Sequence, residues 1–187
     1  MCHNRRMPHI HTDPGQHDQT ASAYIIRTDL PEPKILLHYH RKLHKWMQFG
    51  GHIELDETPW QTIVHELHEE TGYDIEQLQI LQPKERITHL DGDTVLHPVP
   101  VSHITVPFVT VPGHMHTDIA YVFVAHDEPQ GVPDEGETTE IKLFTRSDLL
   151  KLTPDETFED IVQIALFALD TCLPRWEAIT ATNFNHR

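Results

Sequence analysis

The sequence feature that most constrains the fold is a pair of glycines, a short loop and a strongly marked helix within residues 50–73. Thr58 is a favourable N-cap, and Gln61, three residues later, completes a capping box with it. Pro59 occupies the first helical position, where a missing N–H removes no hydrogen bond. Gly72 stands where a helix end favours a positive φ. These signals predict a helix that starts after Thr58 and ends before Gly72.

The predicted helix has an apolar stripe and an acidic face beside it. Apolar residues recur at the i, i+3, i+4, i+7 spacing of a buried face: Trp60, Ile63, Val64 and Leu67. Glutamates follow the same spacing on a neighbouring face: Glu66, Glu69 and Glu70. Each pair of carboxylates repels by a few tenths of a kcal/mol in water, and by about 3 kcal/mol at an effective dielectric constant of about 20. No Lys or Arg occurs between Trp46 and Pro83 to offset that repulsion.

A bound divalent cation is the simplest source of the missing positive charge. Carboxylate oxygens are hard ligands, and such ligands suit Mg²⁺ or Mn²⁺. A solvated acidic helix face, which needs no ion, is the alternative, and the glutamates alone do not decide between the two. The glycines and the longer spacing around the helix favour the cation.

The longer spacing resembles the Nudix box. That family pattern is Gly, five residues, Glu, seven residues, Arg-Glu, an apolar residue, any residue, Glu-Glu, any residue, Gly and an apolar residue. Here Gly51 is followed by five residues, Glu57, seven residues and the segment HELHEETGY, which ends at Tyr73. Every fixed position matches except one, because His65 stands where the family has arginine.

The resemblance implies an enzyme that hydrolyses a diphosphate linkage, usually in a nucleoside diphosphate joined to another group. It implies that Glu66, Glu69 and Glu70 bind the metal, with the backbone carbonyl of Gly50 as a further ligand. A glycine-rich turn is what allows backbone to come that close. Metal ions in such a site neutralise phosphate oxygens and acidify the attacking water. Glu66 and Glu70 are therefore candidate catalytic residues.

Members of the Nudix family often add an acidic residue from a later loop, as a metal ligand or general base. The position of Glu137, just before a predicted strand, favours it for this role. Three other acidic residues stay open as alternatives: Asp118, Glu135 and Glu140. Glu66 is the alternative general base if Glu137 does not serve.

The one departure from the box concerns the residues that orient the helix. In the family, the replaced arginine pairs with the first box glutamate, here Glu57, and Gly51 and Gly72 belong to the same orienting set. A protonated His65 would replace the arginine in part, whereas a neutral one donates a single hydrogen bond. We therefore expect an active enzyme whose activity is reduced or sensitive to pH.

The composition limits the partners and the compartment. A formal charge of −15 and the lack of a basic stripe argue against a nucleic-acid polymer, whereas a small nucleotide neutralised by metal is compatible. Two cysteines make no disulfide framework, and no apolar leader or membrane-spanning run occurs. We therefore expect a cytoplasmic protein that does not bind membranes. The resemblance adds that a homodimer is common among relatives.

Histidine is unusually frequent, with 17 residues in the chain. His114 and His116 alternate along a predicted strand and could line a pocket or hold a metal, but a pair alone cannot complete a site. Histidines with ordinary hydrogen-bond partners are the simpler interpretation. A His-rich metal-binding protein with an incidental acidic helix is one alternative to the hydrolase, and a non-catalytic nucleotide-binding relative is another.

The order of predicted elements indicates the fold class. Residues 1–19 are predicted to form a polar arm and residues 20–187 a Nudix hydrolase domain. Strands are predicted at residues 20–28, 34–40, 46–49, 77–81, 85–90, 118–126 and 140–145, with short or bulged strands within residues 94–112. Helices are predicted at residues 146–152 and 155–169, with one more helical turn at 176–181. Strands, a helix, more strands and C-terminal helices make an α+β pattern, and the resemblance implies an α/β/α sandwich with a mixed sheet.

Overall fold

The computed structural model describes residues 15–108, 111–134 and 138–184. Most of the predicted N-terminal arm lies outside these ranges, as do Glu135 and Glu137. The first strand begins at His17 rather than at Thr20, because it pairs with a parallel neighbour along its whole length. The division of the chain between residues 19 and 20 stays a prediction.

Within the described ranges, nine strands form one mixed sheet. The strands are β1 (His17–Arg27), β2 (Lys34–His40), β3 (Lys45–Met47), β4 (Phe49–His52), β5 (Leu78–Gln82), β6 (Ser102–Pro107), β7 (Met115–Ala125), β8 (Thr138–Phe144) and β9 (Glu177–Thr180). The main path runs β3-β2-β1-β7-β5-β9, and β4 also pairs with β1, β6 with β7 and β8 with β2. Strands β1 and β7 are parallel, whereas the other pairs are antiparallel. The sheet is therefore mixed, as predicted.

Helices cover both faces of this sheet. They are α1 (Pro59–Thr71), α2 (Arg146–Leu149), α3 (Glu159–Phe167) and α4 (Leu173–Arg175), and a π-helical segment, Ala168–Cys172, joins α3 to α4. Successive residues of β1 point into separate cores: Ile25 packs in the core that contains Ile63 of α1, and Ile26 in the core that contains Ile161 of α3. This arrangement confirms the predicted α/β/α sandwich. In the described part of the chain, no helix has the length and apolar character needed to cross a membrane.

Two element predictions are wrong. Residues 85–90 form no strand; they pair with no other strand, and Ile87 is 63% exposed. The helical turn predicted at residues 176–181 is instead strand β9 over most of its length, and β9 lies antiparallel to β5 at the sheet edge. In both cases the outcome depends on whether a distant strand offers hydrogen-bond partners, which no local pattern indicates.

Cys172 lies in the π-helical segment and is fully buried in the core on the α3 side. Burial raises the pKa of its thiol from 9.0 to about 12, which lowers the reactive thiolate fraction by about 1,000-fold at a given pH. We expect the folded Cys2→Ser variant to resist alkylation by iodoacetamide and to react readily in denaturant. Mass spectrometry of timed samples measures this, and rapid labelling of the folded protein would show that the thiol is accessible.

Candidate active site

Helix α1 begins and ends where the sequence signals predict. The side chain of Thr58 accepts a hydrogen bond from the N–H of Gln61, and the side chain of Gln61 accepts one from the N–H of Thr58. Gly72 has a φ of 73° and donates its N–H to the carbonyl of His68. The predicted apolar stripe is buried at three of its positions, Trp60, Ile63 and Leu67. Both ends of the helix are therefore fixed, and so is the direction of its acidic face.

Gly50 brings the backbone of β4 against this helix. Its N–H donates to Oε2 of Glu70 at 2.9 Å. Its φ is +132°, and a Cβ atom at this position would lie 2.1 Å from the carbonyl oxygen of Ala21 on β1. Glycine is therefore required here, both for the backbone conformation and for the close strand pairing. The role of the Gly50 carbonyl as a metal ligand stays a prediction.

The three glutamates of the acidic face have different surroundings. Glu66 is only 8% exposed, the side chain of Glu70 is 13% exposed, and Glu69 is exposed. Among the described residues these carboxylates do not come together as a group of three within 4.8 Å. The fold thus places all three on one helix, with Glu70 held against β4. Bringing their oxygens around one ion requires side-chain rotation.

His38 is a site residue that the sequence patterns did not indicate. It is buried on β2, and its Nδ1 atom lies 3.6 Å from Oε1 of Glu70. Its ring packs on Phe49, with the ring centroids 5.1 Å apart. Glu70 therefore has one carboxylate oxygen beside an imidazole and the other bonded to the backbone of Gly50. The contact arises because β2 lies next to α1 in the folded chain, so no local motif reports it.

His65 contacts the residue that the missing arginine would pair with. Its Nδ1 atom lies 2.7 Å from Oε1 of Glu57, and Thr62 donates its hydroxyl to the other oxygen of Glu57 at 2.9 Å. The side chain of His65 is 64% exposed, whereas that of Glu57 is 19% exposed. The loop before α1 is thus attached to the first turns of the helix through both oxygens of Glu57.

A His65→Arg variant tests this contact. Arginine keeps its charge at every working pH, whereas histidine is charged only while protonated. We expect the variant to be more stable than the wild type by less than about 1 kcal/mol, because the side chain of His65 is largely exposed to solvent. Thermal unfolding across a pH series measures this gain.

A His65→Gln variant is the matched control, since glutamine carries no charge and should show no gain. If the arginine variant is no more stable than the glutamine variant at any pH, His65 does not substitute for the family arginine through Glu57.

The acidic loop after β7 reaches the C-terminal end of α1. The N–H of Asp134 donates to the carbonyl of Glu69 at 2.7 Å, and that of Gly131 donates to the carbonyl of Gly72 at 3.0 Å. A Cβ atom on Gly72 would lie 2.7 Å from Gly131, so the positive φ and this close approach both require glycine. The loop that leads toward Glu137 therefore runs beside the proposed ligands, while Glu137 itself lies outside the described residues.

Asp118 lies on the other face of the sheet. It is buried, and Thr20 and Ser22 each donate a hydroxyl to its Oδ1 atom at 2.7 Å. Burial raises the pKa of this carboxyl group, against the effect of the two hydroxyl donors. Because the alternate residue Ala120 packs in the α3-side core, Asp118 points away from α1. Glu140, the other described alternative, is exposed on β8.

The residues of this region fit a hard divalent cation. Three carboxylates of one helix offer only oxygen ligands, which is the chemistry that Mg²⁺ and Mn²⁺ prefer. The N–H of Gly50 donates to Oε2 of Glu70, so the backbone of β4 lies next to this carboxylate. The geometry is therefore compatible with the predicted ligand set of Glu66, Glu69, Glu70 and Gly50.

Comparison with known sequences identifies the family of this chain. The family model described as NUDIX domain matches residues 17–165. The chain is also similar to an 8-oxo-dGTP diphosphatase of Proteus vulgaris, with 39% identity over 66 residues. That match covers 35% of this chain and 49% of the relative, so the chain spans about half the length of the curated relative that it matches.

Solved structures show the same fold. A hydrolase of the Nudix family from Clostridium perfringens is 27% identical with a TM-score of 0.63, and the match covers 82% of this chain and 96% of that one. A C. elegans Ap4A hydrolase is 19% identical with a TM-score of 0.57, covering 79% of this chain and 92% of that one, and supports the fold alone. With its domain match from residue 17 to 165, its box and its sandwich of helices and mixed sheet, this chain belongs to the Nudix family.

Proposed function

We propose that this protein is a Nudix pyrophosphohydrolase that uses Mg²⁺ or Mn²⁺ to hydrolyse a diphosphate linkage in a nucleotide-type substrate. The observation that carries the proposal is the position of Glu70, whose carboxylate accepts the N–H of Gly50 at one oxygen and lies 3.6 Å from Nδ1 of His38 at the other. A carboxylate with two such neighbours is oriented before any ligand binds. Glu66 and Glu69 lie on the same helix, in the Nudix box of a chain that belongs to that family.

The ligand set of the proposed site consists of Glu66, Glu69, Glu70 and the Gly50 carbonyl. When bound, the metal supplies neutralisation of phosphate oxygens and acidification of the attacking water. The protein supplies the orientation of these ligands. The N–H of Gly50 bonds to the Glu70 carboxylate with His38 beside it, and Glu57, attached to Thr62 and His65, holds the start of α1.

We propose Glu137 as the further acidic residue, acting as general base, with Glu66 as the alternative. The described chain on either side of Glu137 supports this choice. Asp134 bonds to the carbonyl of Glu69, and Thr138 pairs with His40, two residues after His38 on β2. The described residues on either side of Glu137 therefore contact α1 and β2, the elements that carry Glu70 and His38. A base at this position would take the proton of the attacking water.

Two classes of substrate follow from the names of similar proteins. One relative is named for 8-oxo-dGTP and one structural neighbour for Ap4A, so a nucleoside triphosphate and a dinucleotide are both candidates. A nucleotide sugar is the third class, because it carries the same diphosphate linkage. The shared chemistry is an anionic diphosphate next to a nucleoside, which suits a metal site in a chain with a formal charge of −15.

A hydrolysis screen tests the proposal. The purified full chain is incubated with 8-oxo-dGTP, ordinary nucleoside triphosphates, Ap4A and nucleotide sugars, with Mg²⁺ or Mn²⁺, from about pH 6 to about pH 9. We expect at least one class to be cleaved at a diphosphate linkage, with no cleavage in EDTA, as measured by anion-exchange chromatography. A folded protein that cleaves none of these compounds at any pH would overturn the proposal.

A non-catalytic nucleotide-binding protein is the second candidate function, because His65 replaces the box arginine. It predicts that nucleotides raise the melting temperature without any turnover. Thermal unfolding with the same compounds, run beside the screen, separates this outcome from that of the enzyme. The proposed hydrolase is favoured because Glu57, the partner of the missing arginine, still has both its oxygens engaged.

A further inference from the structure

A second group of potential metal ligands lies away from the glutamates of α1. It consists of Asp18, His114 and His116, and one ligand atom from each lies within 4.8 Å of the other two. Within the described residues, no other three side chains of His, Cys, Asp or Glu bring their ligand atoms this close together. Its members come from two segments almost 100 residues apart in the chain, so tertiary structure alone brings them together.

The parallel pair β1–β7 explains how the group forms. Asp18 and His116 are directly paired in the register of the two strands, near the start of both. His114 precedes β7 and places its Nε2 atom 3.1 Å from Oδ2 of Asp18. The side chains of Asp18 and His114 are each only 1% exposed. This carboxylate and imidazole are therefore held in the protein interior by regular backbone structure.

Aromatic packing holds the imidazole rings in place. Phe108 stacks on His116 with ring centroids 4.5 Å apart and an interplanar angle of 16°, and it meets His114 edge-on at 5.9 Å. A third imidazole, His52 of β4, lies beside the group, with its Nε2 atom 3.7 Å from Oδ2 of Asp18. The rings and the carboxylate thus surround one point where β1, β4 and β7 meet.

We propose that Asp18, His114 and His116 form a binding site for Zn²⁺. Two imidazole nitrogens and one carboxylate oxygen are ligands that Zn²⁺ commonly takes, at about 2.0–2.2 Å. In a tetrahedral site such atoms lie roughly 3.3 Å apart, so ligand atoms already within 4.8 Å need to move by only about 1 Å. Three protein ligands leave the fourth position for water or for His52.

This site differs from the proposed catalytic site in both place and chemistry. Alternate residues of a strand point to the same face of the sheet, so Asp18 of β1 faces the same way as Thr20 and Ser22. Those two residues contact Asp118 on the α3 side. The glutamates are on α1, on the opposite side. They offer only oxygen, which suits Mg²⁺, whereas imidazole nitrogen favours first-row transition metals. The two sites should therefore select different cations.

Zn²⁺ binding is measured by isothermal titration calorimetry on the full chain in excess Mg²⁺, with metal content checked by mass spectrometry. We expect a single tight site per chain. Asp18→Asn and His116→Gln should each weaken Zn²⁺ binding by at least about 100-fold. Unchanged affinity in both variants would overturn the proposal. Circular dichroism shows whether each variant is folded.

Three control variants exclude other sources of Zn²⁺ binding. His103→Gln removes an exposed histidine of the neighbouring strand β6 and should leave the affinity unchanged. The combined Glu66→Gln, Glu69→Gln and Glu70→Gln variant should also keep it, which separates this site from the proposed catalytic one. Replacing the histidines at positions 3, 9 and 11 by alanine tests whether these N-terminal residues bind the Zn²⁺. Loss of tight Zn²⁺ binding in this variant would contradict the proposal.

A measurement on an intact site decides the question if the Asp18 and His116 variants fail to fold. Zn K-edge X-ray absorption of the protein with alanine at positions 3, 9 and 11 reports the ligands directly. We expect imidazole nitrogens together with oxygen at about 2.0–2.2 Å. A spectrum with oxygen ligands alone would overturn the assignment.

Discussion

Replacement of Glu70 by glutamine should reduce hydrolysis by roughly three orders of magnitude or more. Glutamine has the same shape, and its amide oxygen can still accept the N–H of Gly50, so the fold should be unchanged. It lacks the negative charge that, in the proposed function, binds a divalent cation and so acts on the attacking water. The measurement is kcat/KM on the best substrate of the screen at saturating Mg²⁺, together with the melting temperature.

Glu76→Gln is the matched control for this substitution. Glu76 is an exposed glutamate in the short helical turn that follows α1, at residues 75–77. The substitution makes the same change of charge at a residue that does not contact Gly50. The activity of the Glu76→Gln variant should therefore stay within about twofold of wild type. Comparable losses in both variants would show that overall charge matters rather than the Glu70 site. Full activity of Glu70→Gln would remove this residue from the mechanism.

Gly50→Ala should both destabilise the protein and inactivate it. The added Cβ atom would lie 2.1 Å from the Ala21 carbonyl at a φ of +132°, so β4 must move away from β1. Strain of this kind and the lost strand pairing should lower the free energy of unfolding by at least about 3 kcal/mol. For a domain of this size that is a fall in melting temperature of roughly 6–12 °C. The same movement would remove the Gly50 backbone from Glu70.

Gly92→Ala separates the effect of close packing from that of backbone conformation. Gly92 also has a positive φ, of +86°, but a Cβ atom there would meet nothing within 4 Å. We therefore expect a loss of only about 1 kcal/mol and unchanged hydrolysis. Thermal unfolding and activity of both variants give the comparison. A Gly50→Ala protein as stable as Gly92→Ala would mean that β4 adjusts freely beside β1.

Local signals in the sequence were sufficient to predict α1 and its orientation. The Thr58–Gln61 capping box, the terminal Gly72 and the apolar stripe each act within one or two helical turns. Strands with strong alternating or apolar patterns were predicted on the same grounds, and β2 has the predicted bounds. The contact between His65 and Glu57 is the one that the resemblance to the Nudix box implied for the replaced arginine.

The limits of prediction lie where a residue's partner is distant in sequence. The segment Glu177–Thr180 becomes a strand because β5, almost 100 residues earlier, provides its hydrogen bonds. His38 joins the candidate site because β2 and β4 lie next to α1 in the folded chain. The pair of His114 and His116 looked incomplete in the sequence, and Asp18 completes the group only through the β1–β7 register.

The sequence by itself determined the Nudix helix, its acidic face and the family to which the chain belongs. The helix and its acidic face depend on interactions between residues a few positions apart, and the spacing of residue types along the sequence shows these interactions directly. Tertiary structure alone decided which strands pair, which face of the sheet Asp118 occupies and which imidazoles meet a carboxylate. Such contacts depend on the register between strands distant in sequence, and one residue of slip would turn every side chain to the opposite face.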